Sequence, residues 1–255
     1  MMQVEVLPDP ATLARAGAEH FVALATAAIT ERGRFAVALS GGETPRGMHA
    51  ELARAPSLDQ VDWSRVHVFW SDERCVPPDR PGSNFRMARE TLLDHVPLPR
   101  HNIHRIRGEV EAERAAAKYE RELREFFAGS SERTASGDGG EPPCFDLILL
   151  GMGEDGHTAS LFPGTPALRE RRRWVMAHYV EKLDAWRITL TLPVINAAAD
   201  VLFLVSGAKK AETLRRVLVD PAPPDADQLP ARLVAPTAGR VVWLVDAAAA
   251  ALVRD

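Results

Sequence analysis

Cysteine is nearly absent from this chain of 255 residues, which holds only Cys75 and Cys144. Two thiols exclude a disulfide framework and a cysteine-built metal site, and a reducing cytoplasm is the simpler expectation. The N-terminal stretch MMQVEVLPDPATL lacks the basic-then-apolar pattern of a signal peptide. No apolar run approaches the ~20 residues that a membrane span needs. Excess basic charge is missing as well: the net charge of −4 argues against nucleic acid or an anionic membrane surface as the main partner. A local basic pocket for a small anion remains open. There is no HExxH, no pair of histidines at ligand spacing and no G-x-S-x-G elbow, so the residues imply neither a metal nor a serine hydrolase. Repeats of fixed period are absent too.

What is present is ordinary in composition, 46% hydrophobic and 26% charged, and ordered in pattern. Short apolar runs alternate with longer amphipathic segments, the pattern of a mainly parallel sheet flanked by helices. The spacing predicts strands at Val4–Leu7, Phe35–Leu39, Val66–Trp70, Phe145–Leu150, Trp174–His178, Ile188–Leu192, Val201–Val205 and Val241–Val245. It predicts helices at Pro10–Arg32, Thr44–Arg54, Asn84–His95, Glu109–Ala128, Lys209–Val219 and Ala247–Val253. In the first helix, Leu13, Ala16, His20, Ala23 and Leu24 are expected to face the sheet. Two polar stretches read as surface connections: SSERTASGDGGEPP at 130–143, expected to be a mobile loop, and DPAPPDADQLP at 220–230.

Four stretches at strand ends carry the chemistry. In ALSGGETPRG a strand runs into Ser40-Gly41-Gly42, and Thr44-Pro45 opens a helix. Glycines admit a ligand close to the backbone and a helix start offers free N–H groups, so the turn reads as a phosphate cradle. It reads equally as a tight strand-to-helix turn capped by Thr44. Glu43 would repel a phosphate and should face away. In SDERCVPPDRPGSNF, Asp72, Glu73 and Arg74 follow a strand end, where open α/β sheets place their crevice, and Ser83-Asn84 caps the next helix. Arg74 suits a phosphate or an anionic reaction centre, while a solvated loop with local ion pairs is the plainer alternative.

The third stretch, FDLILLGMGEDGHTASLFPG, satisfies the G-x-G-x-x-G fingerprint of a dinucleotide turn. A dinucleotide site also needs a long helix after the third glycine and an acid ~20 residues on. Pro163, Gly164 and Pro166 stop any such helix, and arginines stand where the acid should be. The stretch therefore reads as a glycine turn that displays Asp155 and His157. A neutral imidazole takes a proton from water at physiological pH. The fourth stretch, LFLVSGAKKAETL, puts Lys209 and Lys210 at a helix start, where a cation opposes the dipole unless an anion faces it. Two lysines on a solvated turn is the other reading.

Together SGGETP, SDERCVPPDRPGSNF, GMGEDGHTASLFPG and SGAKKAETL resemble the bacterial-type 6-phosphogluconolactonase family, from about residue 10 to residue 250. The resemblance implies one α/β domain over 1–255, with a Rossmann-like, mainly parallel sheet flanked by helices and a small added subdomain. It implies a cytoplasmic enzyme of the oxidative pentose phosphate pathway, without metal or other cofactor, acting on a phosphorylated sugar lactone. A monomer is expected, with a weak dimer as the alternative. Deaminases of the same superfamily carry DGH-x-A-x-N-E-P; here Phe162 fills the glutamate slot, and Arg74 replaces a tyrosine.

Roles follow from the resemblance. His157 is the expected base, Arg74 stabilises the oxyanion or holds the phosphate, and Asp155 and Asp72 orient His157 or the sugar hydroxyls. Lys210 grips the phosphate with the Ser40, Gly41, Gly42 and Thr44 backbone, and Arg187 adds a further contact. The usual SGGSTP loop has serine where Glu43 stands, which leaves the backbone cradle but removes a hydroxyl. An amino-sugar phosphate deaminase or isomerase and a non-catalytic sugar-phosphate binding protein are the competing readings. A nicotinamide-dependent oxidoreductase ranks behind both.

Overall fold

The structure is a computed structural model and describes residues 2–128, 141–221 and 229–253. The expected loop at 130–143 therefore lies outside the described residues except for 141–143, and that at 220–230 does so over 222–228.

Among the described residues, nine strands form two sheets. They are β1 (Met2–Leu7), β2 (Phe35–Leu39), β3 (Val66–Trp70), β4 (Asp72–Arg74), β5 (Leu147–Leu150), β6 (Val175–Val180), β7 (Ala185–Leu190), β8 (Asp200–Val205) and β9 (Arg240–Asp246). The helices are α1 (Pro10–Arg32), α2 (Glu43–Leu52), α3 (Ser57–Gln60), α4 (Asn84–Ala88), α5 (Ala112–Ala128), α6 (Leu192–Ile195) and α7 (Ala211–Leu218).

Six strands pair in the order β1-β9-β8-β5-β2-β3, every pair parallel. A parallel sheet covered on both faces needs strands that are apolar throughout. FAVAL of β2, LILL of β5 and DVLFLV of β8 are buried at every residue. The sequence locates these strands because burial on two faces leaves no alternation to misread.

The 23-residue α1 ends where its caps dictate. Asp9 Oδ1 accepts from Thr12 N at 2.7 Å, and the left-handed Gly33, at φ 73°, returns its N–H to Ile29 O. Its buried stripe is Leu13, Ala14, Gly17, Ala18, Phe21, Ala25 and Ala28. The stripe is thus turned from the expected face, of which Ala16 and Leu24 pack only partly on the core and Ala23 is exposed. Gly17 is the cause: a Cβ there would stand 3.1 Å from Met48 Sδ and 3.3 Å from Leu204, so the smallest residue marks the closest approach. A hydrophobicity count gives glycine no weight.

The smaller sheet, β4-β7-β6, is antiparallel. Its first strand is read as loop in the sequence, because three residues carry no periodicity. Asp72–Arg74 becomes a strand through pairing with Thr189, Ile188 and Arg187, more than a hundred residues later. Ser71 joins the two sheets: its N–H donates to Leu39 O and its carbonyl accepts from Leu190 N, both at 2.8 Å.

Four other expectations change in detail. Residues Asn84–His95 are α-helical only to Ala88, then widen into a π turn over Arg89–Leu93. The Thr91 hydroxyl there donates to Met87 O and meets His49 Nδ1 of α2. Leu192 opens α6 instead of ending a strand. Lys209 and Lys210 lie in a 3-10 turn, Ala208–Lys210, just before α7. Ala249–Leu252 is likewise 3-10 and not α-helical.

Candidate active site

Chain order in the parallel sheet reverses between β2 and β5: β2 leads outward to β3, while β5 leads the other way to β8 and β9. Ligands of open α/β sheets bind outside the strand C-termini at such a point. Ser40-Gly41-Gly42 follows β2, Ser71-Asp72 follows β3, the Gly151–His157 turn follows β5 and Ser206-Gly207 follows β8. All four motif stretches thus leave the same end of the sheet.

A cleft of about 350 Å³ opens there. Asp72, Arg74, Gly153, Glu154, Asp155, His157, Ala159, Ser160, Phe162, Lys182, Leu183, Arg187 and Lys210 line it. The His157 ring is part-buried, with 31% of its side chain exposed. Its Nδ1 lies 2.6 Å from Asp155 Oδ1, which also accepts from His157 N at 3.2 Å. That hydrogen bond holds the Asp155 carboxyl well below the usual carboxylate range, against the opposing effect of burial and with help from Lys182 Nζ on Oδ2 at 2.8 Å. An ionised Asp155 only accepts, so Nδ1 is the donor in this pair.

The backbone around this pair leaves no room for side chains. A Cβ on Gly153 would fall 2.0 Å from His157 Nδ1. Gly156 sits at φ 80°, and a Cβ there would stand 2.8 Å from Leu229 Cδ2. Ala159 also takes a left-handed φ of 47°, uncommon for a residue with a Cβ. The chain doubles back there, and Phe162 stacks on His157 with ring centroids 4.2 Å apart and planes 25° apart. The Rossmann-type fingerprint is therefore a histidine-presenting turn, with no helix following it.

Cationic groups from two parts of the fold line the same cleft. Arg74 and Arg187 are direct cross-strand partners on β4 and β7. Like charges in that register oppose each other. Burial lowers the Arg187 pKa, and the Arg74 charge lowers it further. Arg74 Nη1 donates to Gly82 O at 2.7 Å, which aims the side chain. On the other side, burial also lowers the Lys210 pKa. Lys210 is held by its turn: Lys210 N donates to Gly207 O, and the buried Asp246 accepts from Gly207 N, Ser206 Oγ and Ala249 N. Cations kept this close together and half-buried favour an anionic ligand.

Asp72 is buried, its Oδ2 accepting from Ser160 Oγ at 2.5 Å and its Oδ1 from Asn84 Nδ2 at 3.1 Å. Glu73 faces the other way. Its carboxylate accepts from Arg74 N, Asn84 N, Phe85 N and Ser83 Oγ, closing the N-terminus of α4. Burial pushes the Glu73 pKa up while those N–H groups pull it down. Ser83 Oγ accepts from Arg86 N as the expected cap.

The structure brings His157, Asp155, Arg74, Asp72, Arg187 and Lys210 into one cleft, and leaves Ser40, Gly41, Gly42 and Thr44 outside its lining. Gly41 meets the start of α4: a Cβ there would strike Asn84, whose amide holds Asp72. The helix cap is Gly42, at φ 110°, and not Thr44, which lies within α2. Ser40 Oγ is buried and finds no partner among the described residues. Glu43 faces solvent and pairs with Arg46 at 3.2 Å.

Sequence reasoning misses Lys182, Ser160, Asn84 and Asp246 as parts of the site. Asn84 and Ser160 lie inside recognised motifs, so spacing offered a signal. Lys182 and Asp246 belong to no motif, and only the folded chain brings them to Asp155 and Gly207. Among the described residues, no helix is long and apolar enough to cross a membrane.

Comparison with known proteins places these features in a family. The family model for glucosamine-6-phosphate isomerases/6-phosphogluconolactonase matches residues 8–243. The chain is 43% identical over 251 residues to the 6-phosphogluconolactonase of Nostoc sp., covering 97% of each chain. It is 42% identical over 245 residues to that of Synechocystis sp., covering 96% of this chain and 95% of the other. The solved 6-phosphogluconolactonase from Trypanosoma brucei has the same fold, with a TM-score of 0.84 at 29% identity, covering 100% of this chain and 99% of that one.

Proposed function

Because the chain belongs to the glucosamine-6-phosphate isomerase/6-phosphogluconolactonase family, we propose that it hydrolyses 6-phospho-D-glucono-1,5-lactone to 6-phospho-D-gluconate. One observation carries the reading. An imidazole fixed through Nδ1 by an ionised Asp155 shares a cleft with Arg74, Arg187 and Lys210.

In this reading Nε2 of His157 takes a proton from water as the water oxygen attacks the lactone carbonyl carbon. The guanidinium of Arg74 faces the oxyanion that forms. The bond from that carbon to the ring oxygen then breaks, and the imidazolium returns its proton to the departing oxygen as a hydroxyl. The new carboxylic acid loses its own proton to solvent. Asp155 holds the ring through both protonation states, while Arg187 and Lys210 grip the phosphate. No covalent intermediate is required. A positioned base contributes typically ~10²–10⁴-fold and an oxyanion donor ~10²–10³-fold, enough for an ester that already opens slowly in water. Binding through the phosphate orients the reacting carbon. In the same reading the backbone of the Ser40–Thr44 turn, which leaves the same end of the sheet, joins Lys210 on the phosphate.

Phe162 favours this reading over a deaminase, since an apolar ring stacked on His157 cannot shuttle a proton to a sugar ring oxygen. Freshly generated lactone, assayed with the purified protein, should open faster than in buffer, and His157→Ala should lower kcat by about 10²–10⁴. Turnover no faster than in buffer rejects the activity, and an unimpaired His157→Ala rejects the base. Ammonia release from glucosamine 6-phosphate would support the deaminase instead, and tight 6-phosphogluconate binding without turnover a sensor.

A further inference from the structure

The turn between β6 and β7 delivers a cation that the phosphate site does not account for. Lys182, in the 3-10 turn Glu181–Leu183, places Nζ 2.8 Å from Asp155 Oδ2. The other oxygen of that carboxylate holds His157 Nδ1. With 68% of its side chain exposed, Lys182 is not confined by packing. The turn does not need it either: Asp184, at φ 47°, closes the hairpin and accepts from the Tyr179 hydroxyl. A long side chain that gives up rotamer freedom at an exposed site does so for its partner, and that partner is the carboxylate behind the imidazole.

We propose that Lys182 is a positioning residue for His157, acting through Asp155 and not through contact with the substrate. The inference rests on the lactonase reading for its kinetic test and on the geometry alone for its second. Two physical effects follow. Tethering Oδ2 stops the carboxylate from swinging, so Oδ1 stays on Nδ1 and Nε2 stays aimed into the cleft. The ammonium also draws on the same negative charge that faces the imidazolium formed in the reaction.

Other charges line the cleft. Asp72 and Arg74 approach from β4, Arg187 from β7, and Glu154 and Lys210 from the turns after β5 and β8. Glu181 and Asp184 flank Lys182 on its own turn. Among the described residues, however, only His157 and Lys182 donate to the Asp155 carboxylate.

Lys182→Met and Lys182→Arg separate the possibilities, since an exposed position leaves both variants folded. Lys182→Met should lower kcat about two- to fivefold, the range an exposed ion pair supports, with KM little changed. The acid limb of its kcat/KM profile should move to higher pH, and Lys182→Arg should restore both. A rise in KM alone overturns the proposal, because the ammonium would then grip the substrate. A loss independent of pH, or one that Lys182→Arg does not restore, overturns it as well. In the second arm the His157 ring signals are followed by NMR across pH without substrate. Their pH response should differ from wild type in Lys182→Met and match it in Lys182→Arg; the same response in all three proteins overturns the proposal. Wild-type protein that fails to open lactone would reject the lactonase reading, and this arm then decides the role of Lys182 by itself.

Discussion

Arg187 shows at the scale of one residue how a site can oppose its scaffold. It stands directly across from Arg74, half-buried, with its pKa lowered by burial and by that neighbour. Opposed like charges destabilise a strand pair by roughly 0.2–1 kcal/mol. Arg187→Met should therefore leave thermal stability equal or slightly raised while weakening the stabilisation given by 6-phosphogluconate. Thermal melts with and without that ligand measure both at once, and a variant that loses stability but keeps its ligand response would remove Arg187 from the phosphate site. Phe162 and His157 are the opposite case. Their stacking is legible in the sequence only as the loss of a glutamate, because the contact depends on the left-handed turn at Ala159.

Elements fix where these residues stand. SDER reads as an exposed acidic loop, yet each of its residues has a separate place once it pairs with β7. Asp72 and Arg74 line the cleft, and Glu73 turns back to cap α4. Alternation along a strand separates them. Glu73→Ala should remove the acceptor of three backbone N–H groups and the Ser83 hydroxyl, destabilising the protein by about 2–3 kcal/mol. Because Asn84 starts α4 and also holds Asp72, the loss should raise KM too; urea unfolding and kinetics on the same sample check the pair of effects. The bounds Pro10–Arg32 of α1 were readable, and the structure closes them with Asp9 and Gly33. Which face of α1 is buried was not readable, because Gly17 touches Met48 and Leu204 from other parts of the chain.

The whole molecule adds a response to acid that no single element displays. His49 of α2 is fully buried against Thr91, and burial lowers its pKa from 6.5 to about 4. His67 of β3 is lowered to about 4 as well, by burial and then by the nearby His104. A depressed histidine is neutral in the folded state while the unfolded chain takes up its proton. The unfolded state thus binds more protons between about pH 6.5 and pH 4. Stability should fall as pH drops through that window, and the histidines' share of the loss is complete near its lower end. Urea midpoints taken from pH 7 to pH 4.5 should show the decline, with a smaller slope in His49→Gln. An equal slope in the variant would mean that His49 does not share in it.

By itself the sequence determined the alternation of apolar and amphipathic segments, the parallel sheet and the loops that bear the chemistry. These rest on local facts: continuous burial on two faces, caps at helix ends, and glycines where the chain must turn. His157, Asp155, Arg74, Asp72, Arg187 and Lys210 could be chosen on those grounds and on the family resemblance. Only the tertiary structure decided that they share a cleft and that Lys182 reaches Asp155. Those are contacts between segments distant in the chain, and their geometry is set by the sheet order and the joint at Ser71, which no local pattern encodes.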